Sequence, residues 1–226
     1  MLEVNKNLDK FVYHVSHDLR APVASSLGLI ELTRLEGDKS KISEYLDLQK
    51  KNLLRLDAFI SNILKYSRNT RLAVKQDNIT FQKLFDSLMN QHKYFEDALK
   101  VNFKVDINQE EVFINDEMRL DIILSNLISN AIKYSDPVKE ENRITLEINA
   151  NKNLAEIKIT DNGIGIEEEY IERIFDPFFR ATDYKHGSGI GLALVKEAVD
   201  KINGSILVCS KFKEGTTFTV SIPALK

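Results

Sequence analysis

At 226 residues, the chain is long enough for two modest domains that each bury a core. Its 43% hydrophobic and 29% charged residues are the balance of a water-soluble globular protein. With Lys and Arg spread along the chain, the net charge of -3 argues against a nucleic-acid partner, which leaves a basic footprint. The single Cys209 excludes an internal disulfide and fits a reducing cytoplasm. No apolar run approaches the ~20 residues of a membrane span, so neither direct membrane contact nor a signal peptide is expected.

Met1 opens straight into a helical pattern, which points to an upstream region outside this chain. From residue 8 to 33 a seam runs through Leu8, Val12, Val15, Leu19, Pro22, Ser26, Leu29 and Thr33, alternating steps of four and three. The polar stretch from Glu36 to Ser40 breaks it. A second helix is predicted from about Ile42 to Tyr66, with Ile42, Tyr45, Gln49, Leu53, Leu56, Ile60, Ile63 and Ser67 on one side. Two long helices joined by a tight connection make an antiparallel hairpin. A lone hairpin cannot cover its seam. Either two copies form a four-helix bundle, which is the reading favoured here, or the hairpin packs on the second domain of its own chain.

Residues 69–78 are polar and aperiodic and read as a linker, dividing a helical domain at 1–68 from a second domain at 79–226. Beyond it the pattern predicts a helix over Phe81–Phe95 and short strands at Val101–Val105 and Val112–Ile114. A helix over Asp116–Tyr134 comes next, with strands at Ile144–Ile148 and Ala155–Thr160. A helix between Gly187 and Ile202 precedes strands at Ile206–Ser210 and Thr217–Ile222. Helices and strands in this order suggest an α+β sandwich. Five of the nine glycines fall between 163 and 191, marking backbone that bends sharply or passes close to a ligand.

Five segments carry the chemistry. They are Phe11–Pro22 around His17-Asp18; Asn126–Ser135 with Asn130, Lys133 and Tyr134; Asp161-Asn-Gly163-Ile-Gly165; Ile174–Arg180 with Phe178-Phe179; and Gly187-Ser-Gly189-Ile-Gly191-Leu192. In order, they resemble the H box, N box, first glycine box, F box and second glycine box of sensor histidine kinases of two-component signalling. The likeness covers essentially the whole chain, and five motifs in order at sensible spacing are specific where any one would be weak.

His17 lies about 200° around the helix from Val15, opposite the seam, so it is expected on the exposed surface. Read alone it is an ordinary surface residue; a metal site with His14 lacks convincing further ligands. The resemblance makes it the phosphoacceptor, whose neutral imidazole attacks the γ-phosphate of ATP. Asp18 then orients the other ring N–H and accepts its proton, where otherwise it is a solvated helix charge. Pro22 removes a hydrogen bond to the Asp18 carbonyl and is expected to bend the helix there.

Asn126 and Asn130, four apart on one helix, share a face that Lys133 and Tyr134 continue. A carboxamide oxygen suits Mg²⁺, which keeps several waters and bridges phosphates. The resemblance assigns Asn130 to Mg²⁺ with Asn126 in support, Lys133 to the phosphates and Tyr134 to the base. It also gives Asp161 to adenine's exocyclic amine, although an Asp-Asn-Gly turn alone would explain that segment equally well. Gly163 and Gly165 then let the backbone pass the ring. The stretch up to His186 resembles an ATP lid anchored by Phe175, Phe178 and Phe179, with Arg180 toward the γ-phosphate. Gly187, Gly189, Gly191 and Leu192 open a helix whose N–H groups favour phosphate. A dinucleotide fingerprint fits poorly, since neither the strand–turn–helix context nor an acidic residue about 20 positions on is convincing.

The resemblance thus implies a dimeric helical hairpin followed by an ATP-binding α+β sandwich of the histidine kinase, gyrase and heat-shock chaperone type. It further implies ATP and Mg²⁺ as cofactors and phosphoryl transfer from His17 to an aspartate of a response-regulator receiver domain. An upstream sensor domain lying outside this chain is also implied, and a cytoplasmic location. Two rivals remain: a topoisomerase- or chaperone-type ATPase, which leaves the H box unexplained, and a dimeric scaffold that binds nucleotide without transfer. One departure stands out. Family members that dephosphorylate their regulator commonly place Thr or Asn four residues after the histidine, and this chain has Ala21.

Overall fold

A computed structural model of the chain describes residues 2–92, 101–182 and 189–225, without the side chains of 2–14, 17, 91 and 92. The chain divides into two compact units, Met1–Tyr66 and Ser67–Lys226.

The first unit is a helical hairpin. Helix α1 spans Leu2–Leu35 and stays helical through Pro22, while α2 spans Lys39–Arg71. The turn between them is held by carboxylates. Glu36 accepts from the N–H groups of Gly37 and Asp38, and Asp38 accepts from Ser40 N–H at 2.8 Å, capping the first turn of α2. On α1 the described seam residues Val15, Leu19, Pro22, Ser26, Leu29 and Thr33 are all partly or wholly buried, as the spacing predicts. On α2 two positions differ: Leu53 and Ile60 are exposed, and their neighbours Asn52 and Phe59 turn inward. Asn52 Nδ2 donates to Ser25 Oγ at 3.0 Å across the hairpin, fixing that rotation. Leu46, Leu53, Ile60 and Leu64 then form an exposed apolar stripe, with steps of seven, seven and four.

The second unit begins with the last residues of α2. Residues 69–78, expected as a linker, are helical through Arg71, and Asp77–Ile79 form a strand, β1. The cause is Arg119, which is fully buried. Its guanidinium donates to the carbonyls of Asn69 at 3.1 Å, Leu72 at 2.8 Å and Ala73 at 3.4 Å, so a cation satisfies the orphan acceptors at the helix end. It also pairs with Asp116, whose other oxygen accepts from Arg119 N–H as the N-cap of α4 (Glu117–Lys133).

Helix α3 (Phe81–His92) precedes β2 (Val101–Gln109) and β3 (Phe113–Asn115), and β3 pairs antiparallel with β1. The end of the expected helix at Phe95 lies outside the described residues. After α4 come β4 (Asn142–Ala150), β5 (Leu154–Asp161), α5 (Gly191–Lys201), β6 (Ser205–Lys211) and β7 (Gly215–Pro223). The main sheet has the order β2-β4-β5-β7-β6, with β2 parallel to β4 and the other pairs antiparallel. Period-two burial places Ile144, Leu146 and Ile148 of β4, Ile157 and Ile159 of β5 and Phe218, Val220 and Ile222 of β7 on the inner face. Buried residues of the helices complete the core, including Leu88, Leu120, Leu124, Leu127, Leu194 and Val195. Helices on one side of a mixed sheet make the expected α+β sandwich.

Candidate functional site

Five segments of the second unit meet at one cavity. Helix α4 contributes Asn130 and Ala131, and its C-cap contributes Tyr134. The end of β5 and its following turn contribute Asp161, Ile164, Gly165 and Ile166. Ile174, Phe179, Arg180 and Thr182 line another side, with Leu192 from α5 and Thr216 and Phe218 from β7. Seven of the residues singled out in the sequence therefore line this space: Asn130, Tyr134, Asp161, Gly165, Phe179, Arg180 and Leu192.

Asp161 sits at the end of a central strand, where little water reaches it. Burial pushes its carboxyl up from 3.8 to about 6, while backbone N–H groups of Gly163 and Thr216 and the charge of Lys139 pull it down. The Gly163 N–H donates to Asp161 Oδ1 at 2.8 Å. Gly163 itself is not a wall of the cavity but a point of close approach: a Cβ there would lie 2.3 Å from the Tyr134 carbonyl oxygen. Gly165, with φ of +67°, lines the cavity and leaves no space for a side chain against the Lys211 carbonyl.

The other singled-out residues act from behind. Asn126 donates to the Ile122 carbonyl of its own helix at 2.7 Å, and its Oδ1 faces Gly191, where a Cβ would come within 3.0 Å. This pair sets how near α4 approaches α5. The Lys133 ammonium donates to Tyr134 Oη at 3.0 Å and lies 4.6 Å from that ring's centroid, so it braces the tyrosine rather than lining the cavity. Gly189 has φ of +66° and accepts, through its carbonyl, the N–H of Phe178 at 2.9 Å. Phe179 is held by the Tyr170 ring at 5.8 Å and by the Arg173 guanidinium over its face. The N-cap Ile190 makes no side-chain cap hydrogen bond and the first turn of α5 carries no acidic residue, so the positive end of that helix dipole favours an anion. Gly187 lies outside the described residues. His17 and Asp18 belong to α1 in the other unit; the His17 side chain is also outside the described set, and Asp18 is half-buried.

Sequence reasoning missed Thr216 and the apolar walls Ile164, Ile166, Ile174 and Phe218. Thr216 is the register partner of Asp161, and its hydroxyl shares a hydrogen bond with Ser210 Oγ at 2.8 Å. The available signal was Gly215-Thr216 opening a strand just after a charged turn. Among the described residues no cluster of three His, Cys, Asp or Glu could hold a metal. That donor set still suits Mg²⁺, which needs only one or two protein oxygens beside phosphates and water, and the half-buried Asn130 carboxamide offers one. Among the described residues no helix is long and apolar enough to cross a membrane.

Comparison with known proteins agrees with this geometry. Residues 7–71 match the His Kinase A (phospho-acceptor) domain, and residues 115–226 match the family of histidine kinase-, DNA gyrase B- and HSP90-like ATPases. Sensor protein kinase WalK of Staphylococcus epidermidis is 31% identical over 98% of this chain, which spans 37% of that protein. Sensor protein SrrB of Staphylococcus aureus is 30% identical over 96% of the chain, and 39% of its own length is covered. The chain thus spans between about a quarter and two fifths of the length of the curated relatives it matches. Its fold is that of solved histidine kinases. ThkA, crystallised with response regulator protein TrrA, superimposes with a TM-score of 0.77 at 22% identity, covering 99% of this chain and 64% of that one. Acinetobacter baumannii AdeS superimposes with a TM-score of 0.70 at 19% identity, covering 93% and 98%. With its phospho-acceptor hairpin, its ATP-binding sandwich and its motifs gathered as described, the chain belongs to the sensor histidine kinases.

Proposed function

We propose that this chain autophosphorylates His17 from ATP and passes the phosphoryl group to an aspartate of a response-regulator receiver domain. The observation that carries this reading is the convergence of Asn130, Asp161 and Leu192 on one cavity, in a chain whose hairpin bears His17 beside Asp18. Residues 1–68 would serve as the acceptor and dimerisation unit, 69–78 as the junction and 79–226 as the ATP-binding unit. In the cavity Asp161 would accept from the adenine amine, with Gly163, Gly165 and Leu192 around the ring and Tyr134 and Phe179 packing beside it. Asn130 would hold Mg²⁺, which neutralises phosphate charge when bound. Asn126 would support that helix face. Arg180, Lys133 and the N–H groups following Gly187, Gly189 and Gly191 would add positive potential near the phosphates.

In the transfer, a neutral ring nitrogen of His17 bonds to the γ-phosphorus as the bond to ADP's oxygen breaks. The other nitrogen's proton passes to Asp18. The receiver aspartate then takes the phosphoryl group from phosphohistidine. The exposed stripe Leu46, Leu53, Ile60 and Leu64 supports a homodimeric bundle, since water-facing leucines at heptad-like spacing gain by burial against a second copy. A site working on ATP in a chain with one cysteine fits the cytoplasm, with signal input from a sensor region beyond this segment.

The test is incubation with γ-labelled ATP and Mg²⁺. Acid-labile label on the protein is expected, lost in His17→Gln while ATP binding persists. Free phosphate alone would indicate an ATPase, and no turnover a nucleotide-binding scaffold. Asp18→Asn is expected to slow labelling by roughly 10²–10⁴-fold, the usual scale of a general base.

A further inference from the structure

Lys139 lies in the connection between α4 and β4, a segment with no chemistry evident from its sequence. Its ammonium is half-buried and donates to three backbone carbonyls: Asn162, Gly163 at 3.3 Å and Glu214 at 3.1 Å. The first two belong to the two residues that follow Asp161. The third belongs to the turn before β7, where Gly215 abuts the Asp161 carbonyl and Thr216 pairs with Asp161 in register. The lysine is aimed by a braced loop. Asp136 and Asn142 exchange hydrogen bonds of 2.9 and 3.0 Å, and Asp136 Oδ1 accepts from Val138 N–H at 3.0 Å. Asn162 is locked from the other side, donating to the Glu141 carbonyl and accepting from Arg143 N–H.

We propose that Lys139 is a positioning residue for purine selectivity, clamping the turn after Asp161 so that its carboxylate meets the 6-amino group of an adenine nucleotide. The proposal rests on the assignment of Asp161 to that amine. Three carbonyls on two different turns satisfy one ammonium, so moving either turn breaks a charge-assisted bond. The Gly163 N–H that orients Asp161 Oδ1 lies inside the clamped segment. A positive charge here also favours the ionised, accepting form of the carboxyl. Lys139 touches no substrate; it acts through Asp161.

The experiment measures the affinity of the full chain for ATP and for purine riboside triphosphate, which lacks the 6-amino group. The unaltered protein is compared with Lys139→Met, Lys139→Gln and Lys139→Arg, and melting temperatures are recorded in parallel. ATP should bind about tenfold more weakly to the Met and Gln variants, or 1.4 kcal/mol, with the analogue changed by less than about twofold. Lys139→Arg should recover most of the loss, since a guanidinium can span the same carbonyls. Equal weakening for both nucleotides, or none for either, would overturn the proposal. If the unaltered protein binds the two nucleotides equally, the Asp161 assignment itself fails, and the proposal with it.

Discussion

Gly163 and Asp161 hold one another in place. The glycine N–H donates to Asp161 Oδ1 at 2.8 Å, while a Cβ on that glycine would sit 2.9 Å from the same oxygen and 2.3 Å from the Tyr134 carbonyl. A methyl group therefore cannot enter without moving the carboxylate, the end of α4, or both. Gly163→Ala is expected to cost roughly 1–3 kcal/mol of stability, as overpacking usually does. ATP affinity should fall more than tenfold even at temperatures where the variant is folded. Thermal melting and nucleotide titration check this together; unchanged binding would remove the turn from the site.

Asp161 separates stability from binding. Its folded carboxyl titrates near 6, above its ordinary 3.8, so the folded state holds the proton more tightly than the unfolded chain. Stability contributed by that proton is present below about pH 4 and is lost as pH rises to about 6, then stays lost. Neutralising the group removes this loss, at most roughly 3 kcal/mol by linkage. The melting-temperature advantage of Asp161→Asn should therefore grow between pH 4 and 6 and level off above it, while ATP affinity at pH 8 drops. A constant difference across that range would mean the carboxyl is not desolvated.

Arg119 and Asp116 form a buried pair at the foot of α4, two turns before Asn126 and three before Asn130. Arg119→Ala leaves Asp116 charged in a dry setting and strips the carbonyls of Asn69, Leu72 and Ala73 of their donor. A loss of about 3–5 kcal/mol is expected, the usual consequence of breaking one side of a buried pair. Calorimetric melting of the variant measures it. Little change would show that water replaces the guanidinium.

Ala21 stands one helical turn beyond His17 on α1 and is exposed. A methyl group cannot orient water for in-line attack on a regulator's phosphoaspartate. The chain is therefore expected to label itself normally yet dephosphorylate its regulator slowly. Ala21→Thr should accelerate decay of the purified phosphorylated regulator with little effect on autophosphorylation. Rapid decay with the unaltered protein would show that another group positions the water.

How much was legible depended on whether a residue's role was written in its own neighbourhood. The 4-3 spacing on α1 located the buried positions because that helix has one dominant apolar line. On α2 the same rule misassigned Leu53 and Ile60, because that helix carries two apolar lines and spacing cannot say which faces the hairpin; Asn52 settles it through Ser25. Glycines bunched between 163 and 191 revealed a close-approach region before any fold was known. The tasks of Lys139 and Arg119 were invisible, since each binds carbonyls, and every residue type supplies those. Asn126 was singled out for the cavity, yet its side chain turns back to its own helix and to Gly191.

The cavity's two sides have different anchorage. Asp161 ends β5, which is hydrogen-bonded on both flanks, to β4 and to β7, whereas Phe179 and Arg180 lie in a run with neither helix nor strand. Amide exchange should follow that division: β5 should be among the slowest segments to take up deuterium, and 174–182 among the fastest of the described ones. A ligand's base would then dock on a wall already frozen, at little entropic cost. The ordering cost of binding, and the protection gained, would fall on the aromatic side, so deuterium uptake with and without nucleotide should differ mainly there.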